Sequence, residues 1–95
     1  MQAVEFDDYP YGCFVYVIGT LDGSRTYVGW STNVEDRLRA HNAGRGAKST
    51  RGRQWQLLHV EKFRNKRNAM SREWHLKRDR TFRRKLLISL ADQVQ

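Results

Sequence analysis

From residue 13 to residue 30 the chain reads as two extended runs, in which successive side chains face opposite sides. Residues 13–21 are rich in β-branched and aromatic side chains and read as a strand that places Phe14, Tyr16 and Ile18 on one face. Asp22-Gly23 is a hairpin signal, and residues 25–30 resume the pattern with Tyr27 and Gly29 on a shared face. In a regular hairpin Tyr16 and Tyr27 therefore look to the same side. After Ser31 the period changes. Thr32 with Glu35 three residues on reads as a capping box, opening a helix that ends near residues 42–44. Val34, Arg37, Leu38 and His41 fall on one face of it. Arg37 and His41 interrupt a stripe that would otherwise be apolar, which places them at the edge of the core, where a cleft can form.

Residues 44–53, GRGAKSTRGR, hold three glycines, four basic side chains and two hydroxyls, with nothing large and apolar to bury. They predict a loop whose N–H groups and cations can reach phosphates, without the spacing of a Walker-type phosphate loop. Residues 55–63 alternate as a third strand, with Trp55, Leu57, His59 and Glu61 opposite Gln56, Leu58, Val60 and Lys62. Residues 65–80 predict a second helix with Ala69, Glu73, Leu76 and Arg80 along one side. Thr81 is the expected N-cap of a third helix over 82–90, with Phe82, Leu86 and Leu90 inward. Residues 1–12 read as an irregular leader and 91–95 as a frayed tail. The expectation is one α/β domain of the α+β type over residues 13–90: a small, mainly antiparallel three-stranded sheet flanked by about three helices.

Charge sharpens this picture. The 95 residues carry a formal net charge of +8, and it is uneven: residues 1–30 sum to −3, residues 31–60 to +4 and residues 61–95 to +7. Basic residues crowding a glycine-rich loop and a helix predict a polyanionic partner, a nucleic acid, bound mainly by the second half. The candidate phosphate contacts are Arg45, Lys48, Arg51 and Arg53 in the loop and Arg72, Lys77, Arg78 and Arg80 on the second helix. Cys13 is the single cysteine, so neither an intramolecular disulfide nor a cysteine-based zinc site can form, as suits a reducing cytoplasm. It is expected to be buried. No apolar run approaches the roughly 18 residues of a membrane span, so no membrane partner is expected.

In order, Phe14-Val15-Tyr16, Tyr27-Val28-Gly29, Arg37-Leu38-Arg39-Ala40-His41 and Glu73 within Ala69-Met70-Ser71-Arg72-Glu73-Trp74 resemble the signatures of the GIY-YIG endonuclease family. The resemblance spans roughly residues 14–87. The chain looks closest to the short standalone members and to structure-selective nucleases that cut branched DNA. Phe14 stands where the family's first glycine would be. Lys85 lies at about the place of an asparagine that some members carry.

Phosphodiester hydrolysis needs a base for water, positive charge on the phosphorane oxygens and help for the leaving oxygen. The resemblance implies that Tyr16 is the general base or orients the water, that Tyr27 positions the phosphate or supports Tyr16, and that Glu73 binds metal. Arg37 has the fork geometry for transition-state charge, and His41 can relay or accept the Tyr16 proton. One carboxylate with waters and phosphate oxygens suits a single Mg2+ or Mn2+. The reading is a metal-dependent DNA endonuclease acting in repair or on branched, flapped or single-stranded DNA, with a partner protein as one source of specificity. RNA stays open as a substrate, and so does the identity of the basic tyrosine. The competing reading is a non-catalytic nucleic-acid-binding module on the same fold. His59 and His75 are structural, and Trp30, Trp55 and Trp74 belong first to the core, with Trp30, beside the second signature, open also to a place at the cleft border where it could stack on a base.

Overall fold

The computed structural model describes residues 8–94. Seven elements follow in order: β1 (Asp8–Thr20), β2 (Thr26–Ser31), α1 (Val34–Asn42), a 3-10 turn (Lys48–Thr50), β3 (Trp55–Asn65), α2 (Lys66–Arg78) and α3 (Arg80–Val94). The strands form one antiparallel sheet in the order β2-β1-β3. The expected α+β architecture is what the chain adopts.

The hairpin register pairs Tyr16 with Gly29 and Ile18 with Tyr27, so both tyrosines share a face, as the alternation requires. On that face Tyr16, Ile18 and Trp55 form a buried cluster against Tyr27 and, from α1, Val34 and Leu38. The other face holds Cys13, Val15, Val17 and Val28 against Ala69 and Leu76 of α2, with Phe82 and Leu86 of α3 packed on them. Cys13 is buried, as expected. The sheet thus separates α1 from α2 and α3.

Several boundaries differ from expectation, each for a local reason. The described part of the leader, from Asp8 onward, is already strand. Residues 1–7 of that leader and Gln95 of the tail lie outside the described residues. The hairpin connection spans Leu21 to Arg25, wider than the Asp22-Gly23 pair, because the Thr20 amide reaches the Arg25 carbonyl. Asn33 replaces Thr32 as the cap of α1, its side chain accepting from the Asp36 amide at 3.0 Å. Ser31 Oγ bonds both polar groups of the Asn33 backbone, which sets the helix start one residue later.

In β3 a bulge lies opposite Val17 and Ile18, pairing them with His59 and Leu57 and skipping Leu58. Strict alternation fails there. Leu58 joins the α2 side, while Leu57 and Val60 are exposed on the other face. Asp79, not Thr81, caps α3: its carboxylate accepts from the Phe82 amide at 3.0 Å, and its own amide closes α2 on the Leu76 carbonyl. α3 continues as helix to Val94 where fraying was expected.

Candidate active site

Tyr16 projects from the middle of the central strand, and its neighbour across the hairpin is Gly29. A Cβ at Gly29 would lie 2.5 Å from Tyr16 Oη, so only glycine lets the phenol lie across β2 towards the sheet edge. There Tyr16 Oη meets His41 Nε2 at 2.9 Å, in a fully buried contact. The rings of Tyr16, Tyr27 and His41 gather with centroids 5.0 to 6.5 Å apart.

His41 is held from behind by the loop. Its Nδ1 lies 2.8 Å from Thr50 Oγ1, and the same hydroxyl donates to the Ala47 carbonyl at 2.8 Å. A hydroxyl has one proton. With that proton on Ala47, Thr50 accepts from His41, so Nδ1 carries the imidazole hydrogen. In the neutral ring Nε2 is then an acceptor, and the phenol donates to it. Burial, helped by the Arg37 charge, pushes the His41 pKa down and keeps the ring neutral.

Burial likewise raises the Tyr16 pKa, while the Arg37 guanidinium beside it pulls in the opposite direction; the charge of Glu73 acts on the same hydroxyl and raises it further. Glu73 comes from α2, across the sheet. It reaches the site because β2 is the edge strand and Tyr16 lies across Gly29 towards that edge. Its carboxylate is mostly buried and lies 3.5 Å from Lys77 Nζ.

Tyr16, Tyr27, Arg37 and His41 are therefore brought together, with Glu73 in electrostatic reach. The phosphate-contact candidates disperse. Arg45, Lys48 and Arg51 are exposed along the loop. Arg53 lies towards the hairpin turn, where the Thr20 and Ser24 hydroxyls, with a smaller contribution from Arg53, hold the Asp22 carboxyl down to about 2. Lys77, Arg78 and Arg80 are exposed, Lys77 beside Glu73 and Arg78 stacked 3.7 Å over Trp74.

Arg72 differs from its basic neighbours. It faces Glu61 of β3 in a two-pronged ion pair, Nε to Oε1 at 2.9 Å and Nη2 to Oε2 at 3.0 Å, and is partly exposed. Trp30 packs against the core as expected, on the α2 side with Tyr9 and Lys66 and so away from the tyrosine face, whereas Trp74 is a correction, half exposed rather than core.

Four further residues went unseen in the sequence. Thr50 orients His41. Gly46 leaves room for it, since a Cβ there would collide with the imidazole. Asn42 exchanges two hydrogen bonds with the Trp55 backbone, and the Trp55 indole donates to the Thr50 carbonyl at 2.9 Å. Together they turn a glycine-rich loop into a fixed wall. Thr50 and Gly46 stand in the loop beside another hydroxyl and two other glycines, so composition does not single them out.

Over residues 12–85 the sequence matches the GIY-YIG catalytic domain. The chain belongs to the GIY-YIG family. GIY-YIG catalytic domains are typically endonucleases that bind DNA and use divalent metal ions. Similar proteins carry the name UPF0213. One from Clostridium perfringens is 48% identical over 68% of this chain and 70% of its own length. Another, from Oceanobacillus iheyensis, is 41% identical over 84% of this chain and 93% of its own. The solution NMR structure of a UPF0213 protein from Bacillus halodurans is 36% identical, covers 83% of this chain and 84% of that one, and superposes with a TM-score of 0.47.

Does the GIY-YIG site present here fit a metal? Among the described residues no three His, Cys, Asp or Glu side chains gather into a cage. Glu73 alone fits a hard cation that keeps several waters and shares the substrate's phosphate oxygens, as Mg2+ does. Among the described residues, no helix is long and apolar enough to cross a membrane.

Proposed function

We propose that the chain is a metal-dependent endonuclease that hydrolyses DNA phosphodiester bonds. The observation that carries this reading is the polarised chain Tyr16–His41–Thr50: a buried phenol donating to a neutral imidazole whose far nitrogen is fixed by a hydroxyl. Any buried phenol needs an acceptor; what suits this one to proton transfer is that its acceptor is a neutral base with Arg37 beside it. Here a water beside Tyr16 passes a proton to the phenol oxygen as the phenol's own proton moves to His41 Nε2. The resulting hydroxide attacks phosphorus, the bond from phosphorus to the 3' oxygen breaks, and that oxygen takes a proton from solvent water as it leaves. The imidazolium that forms is the one titratable change in the protein during the step.

Tyr16 is almost wholly buried, so water reaches it past its half-buried neighbours Tyr27 and Arg37. Tyr27 is then the phenol that meets the phosphate, and the Arg37 guanidinium takes up the charge on its non-bridging oxygens. Glu73 would hold one divalent ion, Mg2+ or Mn2+, which supplies charge to the phosphate and leaving oxygen and offsets the carboxylate's own effect on Tyr16. The exposed cations of residues 44–53 bind the backbone.

The test is cleavage of branched, flapped, duplex and single-stranded DNA with Mg2+ or Mn2+ by the wild type, Tyr16→Phe, Arg37→Ala and Glu73→Ala. Tyr16→Phe should lose about 10²- to 10⁴-fold in rate while still binding. Unaltered cleavage by Glu73→Ala would remove the metal assignment. Tight binding with no metal-dependent cleavage of any substrate would leave the non-catalytic binding module as the function.

A further inference from the structure

At the hairpin end of the sheet, on the α3 side, lies a pocket of about 390 Å3 lined by Ser24, Arg25, Thr26, Arg80, Arg83, Arg84 and Leu87. Four of these seven are arginines and none is acidic. Among the described residues none of the four arginines forms an ion pair with a carboxylate. Gathering like charges costs energy that a bound anion offsets.

Arg83 is the fixed member. Its Nε donates to the Leu76 carbonyl at 3.0 Å, Nη1 to Thr26 Oγ1 at 2.9 Å and Nη2 to the Lys77 carbonyl at 2.8 Å. These bonds tie α2, α3 and β2 together and use three of the five guanidinium N–H groups. The other two remain for a ligand, on a side chain already immobilised. Arg25, Arg80 and Arg84 are exposed around it, with the Thr26 hydroxyl as a neutral donor, while the Ser24 hydroxyl donates to Asp22.

Thr26 immediately precedes Tyr27 in the edge strand, and neighbouring strand residues point to opposite faces about 3.3 Å apart along the chain. The pocket and the tyrosine site therefore lie back to back around one exposed edge. Phosphates follow one another along a nucleic-acid strand at about 3.4 Å of axis. A strand whose phosphate sits at Tyr27 and Arg37 can pass around β2 and bring later phosphates to the arginines.

We propose that this pocket is a second phosphate site, which grips the nucleic-acid backbone beyond the scissile bond and selects substrates long enough to span β2. The identity of the ligand rests on the nuclease reading above; its binding does not depend on cleavage. The chemistry recognised is a phosphate oxygen, whose source is either a backbone or a free anion.

The experiment is fluorescence anisotropy with labelled DNA in chelator, comparing wild type, Arg25→Gln/Arg84→Gln, and a charge-matched control, Lys62→Gln/Arg67→Gln. The pocket double should bind on the order of tenfold more weakly and flatten the log affinity against log salt slope by about 1.4 to 1.8 units, as expected for two lost phosphate contacts. The control should stay within about twofold of wild type. Oligonucleotides shortened to a few nucleotides should erase the difference between the pocket double and wild type. Equal loss in both doubles, or no loss in the pocket double, overturns the assignment. So does displacement of DNA by inorganic phosphate too dilute to alter ionic strength, which would give the pocket to a free anion. Because no catalysis is read, an inactive nuclease does not affect the result.

Discussion

Replacing Thr50 by Val removes one oxygen and almost no volume. In the wild type that oxygen accepts from His41 Nδ1 at 2.8 Å and donates to the Ala47 carbonyl at 2.8 Å. The Ala47 carbonyl keeps a second partner, the Thr50 amide at 3.0 Å. The His41 N–H keeps none. An orphaned donor in a fully buried ring costs about 1 to 3 kcal/mol. For a domain of this size each kcal/mol lowers Tm by about 4 to 8 °C. The imidazole can escape part of that cost by moving its hydrogen to Nε2, but then it can no longer accept from Tyr16. Stability and catalysis are thus linked through one proton.

Thr50→Val is expected to melt lower than wild type by about 4 °C or more and to lose most of the rate that proton transfer supplies, up to about 10²-fold, with little change in DNA affinity. Thr50→Ser restores the hydroxyl and should recover both. Circular dichroism melts read the stability, single-turnover cleavage reads the rate, and nitrogen chemical shifts of the His41 ring read the tautomer. A wild-type ring protonated at Nε2 would refute the reasoning, and so would a Thr50→Val protein that melts and cuts as wild type does.

Other positions give independent checks. Gly29→Ala forces a methyl to within 2.5 Å of Tyr16 Oη; overpacking of this kind costs about 1 to 3 kcal/mol, and displacement of the phenol should abolish cleavage even where denaturant titration shows a folded protein. His41 has a depressed native pKa, so below the unfolded value of about 6.5 the unfolded chain takes up a proton that the native ring resists. Its contribution is therefore fully present above pH 6.5 or so and declines as pH falls towards the native pKa, a slope that urea titrations should find missing in His41→Phe. Arg72→Met breaks the two-pronged contact with Glu61; both groups are partly exposed, so the loss is about 1 kcal/mol after solvent screening, and DNA affinity measured by anisotropy should not move.

How much of this was legible in the sequence follows the range of the interactions. Tyr16 and Tyr27 could be placed on one face because side-chain alternation is local, and α1 could be turned correctly because Val34 and Leu38 mark its buried side. The bulge at Leu58 broke the alternation of β3, and no local pattern announces a bulge that the partner strand imposes. Arg72 looked like its basic neighbours, since what distinguishes it is Glu61, eleven residues away and on another element. Thr50 is, by sequence, just one of two hydroxyls in a basic loop. Its partner is His41, and only the closing of the loop by Asn42 and Trp55 brings them together.

Glu73 shows what joins the two kinds of residue. Helical spacing puts it in line with Ala69 and Leu76, on the side of α2 that faces the sheet, where a carboxylate would ordinarily be a liability. It is tolerated because β2 is an edge strand, which leaves the carboxylate a little open to solvent, and because Lys77 Nζ lies 3.5 Å away. The same edge carries Thr26, which receives Arg83 on the opposite face. A six-residue strand thus separates two phenols on one face from a cluster of arginines on the other. Widening it by pairing another strand on its free side would close the path between them. Any variant or partner that adds to the β2 edge should therefore lose long substrates before short ones.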